Sequence, residues 1–240
     1  MKDQQKKKRR SLSLITVLLI TTFITSRTFK EVNLKDISIF GSEFFSNDDI
    51  VANSSLDFPI PLIFVKTTYI EKELKTNLSL QNVAVFRQIF PFSLKILIKT
   101  RTPIAFGEKI IKGEKINGFV DKNGYFINEK YLDKDILKKL STKVFGWKDN
   151  YKETLSKIFN SQTNNDIEFV SINFSPNGFL ILEDKILKTI LLGFNSELIE
   201  TQLQIINDLK NQLKGQIILE KIDSIDLTDP NNPKIKVFKP

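Results

Sequence analysis

The sequence contains no cysteine and no histidine. The first absence excludes disulfide bonds, cysteine-based metal sites and thiol nucleophiles, and the second excludes every mechanism that needs an imidazole base. Catalysis could rest only on Asp, Glu or Lys side chains, and we expect neither a metal nor a cofactor. A chain without cysteine is compatible with an extracytoplasmic location, but this absence does not identify the compartment.

The positive charge is concentrated at the N-terminus. The net charge is +8, but residues 1–10 carry six Lys or Arg residues against one Asp, a local charge of +5. The other 230 residues share the remaining +3. Because nucleic-acid binding needs a basic stripe on the folded part of a protein, we expect no nucleic-acid partner.

Long apolar runs are scarce, and the strongest one is short. Ser11–Ser26 are sixteen consecutive residues without a charge. As a helix they span about 24 Å at ~1.5 Å per residue, less than the ~30 Å hydrocarbon core of a bilayer. Arg10 and Arg27 can snorkel from the two ends and supply part of the difference. We predict a single transmembrane helix over residues 11–28.

The distribution of charge around this segment predicts its orientation. The basic residues precede it, so the positive-inside rule keeps residues 1–10 as a cytoplasmic tail and exports the rest of the chain. A cleaved signal peptide is the alternative, since a charged region and a short apolar region are also its features. Ile24-Thr25-Ser26 before Arg27 is a poor cleavage site, which favours an uncleaved anchor.

The remaining chain has the composition of a globular protein. It has 240 residues, of which 41% are apolar and 27% charged, enough for one or two ordinary domains. The central stretch predicts a β-hairpin of Val83–Ile89 and Ser93–Thr100, because apolar residues alternate in its second half and Pro91 suits the corner. Asn123-Gly124 between apolar runs predicts a second tight turn.

The residues before this hairpin predict one strand and two helices. Leu34–Phe40 leads into Gly41 as a first strand. Ser46 and Asp49 have capping-box spacing for a helix over 47–54. A second helix is predicted from Thr68, with Thr68 and Glu71 as its capping pair. Together with the hairpin, these elements predict a three-stranded sheet covered on one face by two helices.

The hairpin and the segment after it resemble the FtsQ/DivIB family of bacterial cell-division proteins. The resemblance implies an α+β chain with a single N-terminal transmembrane helix, a POTRA domain of β-α-α-β-β order over 32–105, and a second β-rich domain of FtsQ type over 106–240. Six residues of the pattern are assigned to holding the hairpin and the following turn: Arg87, Pro91, Arg101, Pro103, Asp121 and Gly124. The matching residues are Val83, Val85, Arg87, Phe90, Pro91, Leu94, Ile96, Ile98, Arg101, Pro103, Ile104, Ala105, Val120, Asp121 and Gly124.

The second domain reads as a mixture of strands and helices. Phe106–Gly118 is predicted as a loose, Lys- and Gly-rich hairpin, and Tyr131–Leu140 as helical. The longest soluble helix begins after Ser196 and ends before Gly215, with a core-facing stripe. Further predicted elements are a helix capped by Asn150 and Glu153, strands over 167–173, 179–182 and 186–194, and a final hairpin of Lys221–Leu227 and Lys234–Phe238.

The resemblance implies that the final hairpin binds partners. Family members use their last β region to hold the membrane-anchored division proteins FtsB and FtsL, and a terminal strand at a sheet edge can accept a further strand. Lysines at 234, 236 and 239 argue the other way, since edge lysines usually block pairing. This chain also lacks the aromatic-rich tail ending in Trp. The candidates carried over by position are Ile225, Asp226, Leu227, Ile235, Val237 and Phe238.

The resulting expectation is a non-enzymatic divisome scaffold at the septal plasma membrane. It would link early and late division proteins and control septum assembly through protein–protein contacts, with the POTRA domain mediating localisation. One alternative is a POTRA-type factor for envelope or outer-membrane assembly, although such modules usually repeat. A second alternative is a cell-envelope hydrolase that uses two carboxylates. Two close, buried carboxylates in one pocket would favour that enzyme.

Overall fold

The computed structural model describes residues 2–132, 140–165, 168–213 and 222–238. The chain divides into two compact units, an N-terminal unit of residues 1–100 and a C-terminal unit of residues 101–240. Each unit builds its own sheets, and they are described separately.

The N-terminal unit begins with helix α1, Lys2–Thr28. The apolar side chains of its second half, from Leu12 to Ile24, are exposed. Helix α1 covers residues 11–28 and begins earlier than the predicted segment, at Lys2. Among the residues that the structure describes, no helix is both long and apolar enough to cross a membrane. The membrane crossing itself thus stays a prediction.

The rest of the N-terminal unit confirms the predicted β-α-α-β-β order. Its three-stranded sheet has β2 parallel to β5, which is antiparallel to β4. A short two-stranded sheet joins β1 to β3. The elements in chain order are β1 (Glu31–Val32), β2 (Ile37–Phe40), α2 (Asn47–Ala52), β3 (Ile60–Pro61), α3 (Thr67–Asn77), β4 (Asn82–Gln88) and β5 (Ser93–Lys99).

The core of this unit lies between its helices and its sheet. Alternate residues of β5 are buried because they point toward the helices, while Leu97 on the other face is exposed beside Phe40 and Phe86. The buried side chains of the helices and the sheet are Ile50, Ile70, Leu74, Val83, Val85, Leu94, Ile96 and Ile98.

The two helix caps predicted for the N-terminal unit have different outcomes. Ser46 and Asp49 form the predicted capping box of α2, with the Ser46 hydroxyl accepting the Asp49 N–H at 3.1 Å. The pair predicted for α3 is wrong, because the helix begins at Thr67 and Thr68 lies inside it. Glu71 accepts instead the backbone N–H of Val85 at 2.8 Å. It therefore satisfies a donor on β4, which is an edge strand of its sheet.

The C-terminal unit is built on one nine-stranded sheet. The strand order is β14-β13-β12-β11-β10-β9-β6-β7-β8. The strands are β6 (Pro103–Ile111), β7 (Glu114–Asp121), β8 (Phe126–Asn128), β9 (Lys143–Trp147), β10 (Phe169–Phe174), β11 (Leu180–Asp184), β12 (Lys188–Gly193), β13 (Ile222–Asp226) and β14 (Lys234–Val237). The helices are α4 (Lys152–Asn165) and α5 (Ile199–Leu213).

Two βαβ units organise the larger part of this sheet. Helix α4 connects the parallel neighbours β9 and β10, and α5 connects the parallel neighbours β12 and β13. Both crossovers step in the same direction along the sheet between strands of the same orientation, which places both helices on one face. The predicted stripe of the longest soluble helix is therefore core. Its residues Ile199, Leu203 and Ile206 are buried with Leu155 and Ile158 of α4.

The predicted hairpin over Phe106–Gly118 is present, since β6 and β7 are antiparallel and joined through residues 112–113, but it is not the loose connection that was expected. These residues form most of β6 and β7, long strands of which β6 lies inside the sheet, between β7 and β9. Hydrogen bonds on both sides hold β6, although Gly107, Glu108 and Lys109 interrupt its apolar residues. Gly107 and Gly118 are directly opposite each other. A Cβ on Gly107 would lie 2.8 Å from Val120 and 3.2 Å from the Phe126 ring, and a Cβ on Gly118 would lie 2.5 Å from that ring. The glycines make room for this ring rather than marking a connection.

The other predicted strands of this unit lie within a few residues of β10, β11 and β12. Pro103 is the first residue of β6, a position where a strand tolerates its missing N–H. Most of the predicted helix Tyr131–Leu140, and the predicted C-cap Gly215, lie outside the described residues.

We expect Ser46→Ala and Thr68→Ala to differ, although both residues occupy a predicted cap. Ser46→Ala removes a capping bond and should lower the stability of α2 by about 0.5–2 kcal/mol. Thr68→Ala should stay within about 0.5 kcal/mol of wild type, because Thr68 makes no capping bond and alanine favours a helix. Hydrogen exchange of the α2 and α3 amides measures both changes. Equal losses would contradict the assigned start of α3.

Candidate partner-binding edge

The final strand β14 lies at an edge of the nine-stranded sheet. It pairs antiparallel with β13 on one side, with Ile235 opposite Ile225 and Val237 opposite Ile222. Within the described part of the chain, no strand pairs with its other side. All four residues of β14 are exposed. One row of its backbone N–H and C=O groups is thus open to a further strand.

The opposite edge, β8, is less suited to strand addition. It has three residues, and the side chains of Phe126 and Ile127 are buried. Residues 129–131 turn away directly after it as a short 3-10 helix.

Five of the six residues predicted to bind partners fall into two groups. Ile225 and Leu227 are fully buried, so their side chains belong to the core beneath the hairpin and are out of reach of a partner. Ile235, Val237 and Phe238 are exposed. Paired residues of antiparallel strands point to the same face, so Ile235 and Val237 continue the apolar face of β13 past the covered core. The lysines Lys234 and Lys236 point to the opposite face.

Asp226, the sixth residue, shapes the chain after β13. Its carboxylate accepts the backbone N–H of Thr228 at 2.9 Å and the Thr228 hydroxyl at 2.6 Å. These two hydrogen bonds from Thr228 hold the pKa of Asp226 below its ordinary value. A lowered carboxyl pKa means that this stabilisation is present at neutral pH and is lost as the pH falls through the folded-state pKa. Asp226 therefore has a structural role in the hairpin.

Gln202 is a residue of this region that the sequence pattern does not reveal. It is buried in α5, and its side-chain amide donates to the carbonyls of Leu192 and Leu227, each at 2.8 Å. Leu192 belongs to β12 and Leu227 directly follows β13. Gln202 thus holds the supports of the edge strand together. In the sequence, Gln202 is visible only as a polar residue directly before Leu203 of the core-facing stripe, which does not predict its burial.

The residues of the family pattern have structural roles in their own units. Arg87 donates two hydrogen bonds to the Val65 carbonyl, from Nε at 3.0 Å and from Nη2 at 2.7 Å. Pro91 lies at the exposed tip of the β4–β5 hairpin. Both belong to the N-terminal unit. Pro103 begins β6 in the C-terminal unit.

Arg101, Asp121 and Gly124 form one buried cluster at the start of the C-terminal unit. Arg101 Nη1 lies 2.7 Å from Asp121 Oδ2, and both side chains are almost fully buried. The other carboxylate oxygen accepts the N–H groups of Asn123 and Tyr125. The Arg101 guanidinium lies 3.6 Å from the Tyr125 ring centroid.

Gly124 connects this cluster to the core. It has φ +78°, and an added Cβ would lie 2.4 Å from the Lys152 carbonyl oxygen. Its own carbonyl accepts the indole N–H of Trp147 at 2.8 Å. Trp147 stacks at a tilt against Phe126. The turn, β8 and β9 are thus fixed relative to one another.

In the part of the chain that the structure describes, two carboxylates line one cavity, but neither of them is buried. A cavity of about 290 Å³ is lined by residues of β6, β7 and β9, including Glu108 and Glu129. Glu108 is ion-paired with Lys115, and Glu129 is exposed. Among the described residues, the buried carboxylates Asp121 and Asp184 are paired with Arg101 and Lys210. No group of acidic side chains in the described ranges could hold a metal ion.

Comparison with known families supports the reading of the N-terminal unit. Residues 32–101 match the family model of the FtsQ-type POTRA domain. This chain carries an FtsQ-type POTRA domain. The match supports a protein of the FtsQ/DivIB family and indicates a role in cell division through protein–protein contacts. The chain matches none of the curated proteins with which it was compared.

The FtsQ-type pattern extends past the matched range to Asp121 and Gly124. Breaking the buried Arg101–Asp121 ion pair measures how much this part of the pattern contributes to stability. Arg101→Met leaves the Asp121 carboxylate buried without its counter-charge and should lower the free energy of unfolding by about 3–5 kcal/mol. Lys115→Met, at the exposed pair with Glu108, should cost less than about 1 kcal/mol. Urea unfolding followed by Trp147 fluorescence measures both, since Trp147 is the only Trp and lies in this unit. Equal costs would show that the buried pair is no more important than a surface pair.

Proposed function

We propose that this protein is a divisome scaffold that links early and late cell-division proteins and controls septum assembly through protein–protein contacts. The observation that carries the proposal is the FtsQ-type POTRA domain at residues 32–101. The arrangement of the C-terminal unit supports it, since buried charges there are paired and an open strand edge is available. Binding rather than catalysis is the activity that such a surface offers.

The partner site is the open edge of β14. We infer that a membrane-anchored division protein of FtsB or FtsL type adds a strand there. Four residues of β14 present about 13 Å of backbone at ~3.3 Å per residue, enough for a short partner strand. Each backbone hydrogen bond formed contributes about 0.5–1.5 kcal/mol net. Apolar side chains of the partner would pack beside Ile235 and Val237.

The charge of the edge favours an acidic partner strand. Lys234 and Lys236 share the face opposite Ile235 and Val237, and Lys236 lies only at the 4.0 Å limit of an ion pair with Asp223. Opposite charges on neighbouring strands are stabilising, and like charges are destabilising. The side-chain contacts proposed here are therefore Ile235, Val237 and Phe238 with the two lysines, while Ile225 and Leu227 support them from within the core.

The protein is proposed to act at the bacterial plasma membrane at the division septum. Its basic N-terminal tail would be cytoplasmic and both units extracytoplasmic. The basis is the positive charge of residues 1–10, followed by the exposed apolar half of α1. Helix α1 would hold the protein to the bilayer, with Arg27 reaching the headgroups from its C-terminal end.

We expect Val237→Asp to abolish capture of an FtsB- or FtsL-type protein by the full chain. The new carboxylate would be buried without a counter-charge when the partner strand binds. Val170→Asp is the matched control. Val237 is 44% and Val170 41% exposed, both lie in strands of the same sheet, but Val170 belongs to the interior strand β10. Co-purification of detergent-solubilised protein with the division proteins measures capture.

The outcomes separate the function from the site. Capture by wild type and Val170→Asp, but not by Val237→Asp, supports both. Equal capture by all three keeps the divisome function and removes β14 as the site. If wild-type protein captures no division protein although its cooperative unfolding shows that it is folded, the proposed partners are overturned. A POTRA-type envelope-assembly role would then be favoured.

A further inference from the structure

Three segments of the N-terminal unit meet where α1 ends. The Leu62 N–H donates to the Lys30 carbonyl at 3.1 Å, and α1 contacts the turn of residues 62–64. The Lys30 ammonium lies 4.7 Å from the ring centroid of Phe92, in the tip of the β4–β5 hairpin. Arg87, beside that tip, holds the Val65 carbonyl. The end of α1, the turn at 62–65 and the hairpin tip therefore form one end of the unit.

Large apolar side chains are exposed at this end of the unit. Phe90 is 81% exposed, Phe64 63% and Phe29 60%. Ile63, beside Phe64, is also exposed. We call these four residues, Phe29, Ile63, Phe64 and Phe90, the aromatic end. Contiguous exposed apolar groups of this kind are uncommon on a surface that faces only water, and they mark a surface that contacts something apolar.

The aromatic end is bordered by basic residues. Arg27 is in the last turn of α1, and Lys30 and Lys66 are exposed beside the two phenylalanine-bearing segments. Of the acidic residues near them, Glu31 is exposed on β1, and Asp36 is bonded to the N–H of Asn33. Phe and aliphatic side chains with Lys and Arg beside them are typical of protein segments that lie in the interface of a membrane.

The aromatic end is continuous with the apolar surface of α1. The exposed apolar side chains of that helix reach Phe23 and Ile24, one turn before Phe29. A bilayer that receives α1 up to Arg27 would place its headgroup region at Phe29 and the segments bonded to it. One bilayer could therefore contact both the apolar surface of α1 and the aromatic end without any change of fold.

We propose that the aromatic end rests in the headgroup region of an anionic phospholipid membrane. Phe29, Phe64 and Phe90 insert between the headgroups, and Arg27, Lys30 and Lys66 contact lipid phosphates. This contact fixes the orientation of the POTRA domain on the membrane, so the domain is docked rather than tethered. The proposal rests on the membrane localisation given above and adds a second contact to α1.

The test uses the absence of cysteine from the chain. Single substitutions Phe64→Cys and Phe90→Cys are labelled with bimane in the full chain, reconstituted in vesicles of phosphatidylglycerol and phosphatidylcholine. Lipids that carry a spin label near the headgroup should quench both probes and their emission should shift to the blue. Replacing phosphatidylglycerol with phosphatidylcholine alone should weaken the quenching, because the basic residues lose their anionic partners.

Two exposed positions of the same unit are the controls. Gln81 lies at the opposite end of β4, seven residues and about 23 Å from Gln88 at ~3.3 Å per residue. Phe40 is an exposed phenylalanine at the far end of β2. Gln81→Cys and Phe40→Cys probes should be quenched little. Leu19→Cys in α1 reports the anchor itself and is measured with lipid spin-labelled deep in its acyl chain, because Leu19 lies near the middle of the uncharged segment Ser11–Ser26.

The combinations of results are distinct. Quenching at 64 and 90 above that at 81 and 40 supports the docked domain. Quenching at 19 with no excess at 64 and 90 overturns it and leaves the membrane localisation intact. Quenching at 64 and 90 without quenching at 19 supports the docked surface and overturns the anchor. Loss of quenching at all positions overturns both.

Discussion

The buried ion pair between Arg101 and Asp121 is the constraint on which the C-terminal unit depends. One oxygen of Asp121 neutralises the guanidinium, and the other accepts two backbone N–H groups of the turn that follows β7. That turn brings the Gly124 carbonyl to the indole of Trp147 in β9. A single carboxylate thus connects β6, β7, β8 and β9. Breaking the pair would leave a buried charge without a counter-charge. The desolvation free energy of that charge is larger than the free energy lost when one surface ion pair is broken.

The proposed binding edge lies at the other side of the same sheet and depends on the same principle of satisfied buried polar groups. Among the described strands, β14 pairs only with β13, and β13 is held by β12 and α5. Gln202 of α5 donates hydrogen bonds to the carbonyls of Leu192 in β12 and Leu227 after β13. The strands that support β14 are therefore held by specific polar contacts as well as by apolar packing. An edge supported in this way stays open because its own core is complete without a further strand.

Much of the fold could be predicted from the sequence. The alternating apolar residues of β4–β5 and the apolar stripes of α3 and α5 arise because each element buries one face. The middle of β6 was harder to predict. Lys109 and the glycines of β6–β7 look like a connection, but Lys109 lies over the rings of Phe126 and Trp147, and burial there lowers the pKa of Lys109. These two rings come from β8 and β9, so the apolar surroundings of Lys109 depend on residues distant in sequence.

The candidate site was predictable as a strand but not as a surface. Ile225 and Ile235 are both isoleucines in adjacent strands, pair directly and point to the same face, yet one is fully buried and the other exposed. The difference arises because the core under the sheet reaches β13 and ends before β14. Sequence periodicity carries the orientation of a side chain, whereas the extent of the layer that covers it depends on tertiary packing.

The lysines of β14, which argue against an open edge, acquire a different meaning from its geometry. Lys234 and Lys236 lie on one face only, so they oppose a second copy of the same strand by like-charge repulsion and leave the apolar face available. A partner with carboxylates on the matching face would find compensation where a second copy finds repulsion. The same two charges thus protect the edge from self-association and select among partners, as specificity by unfavourable alternatives requires.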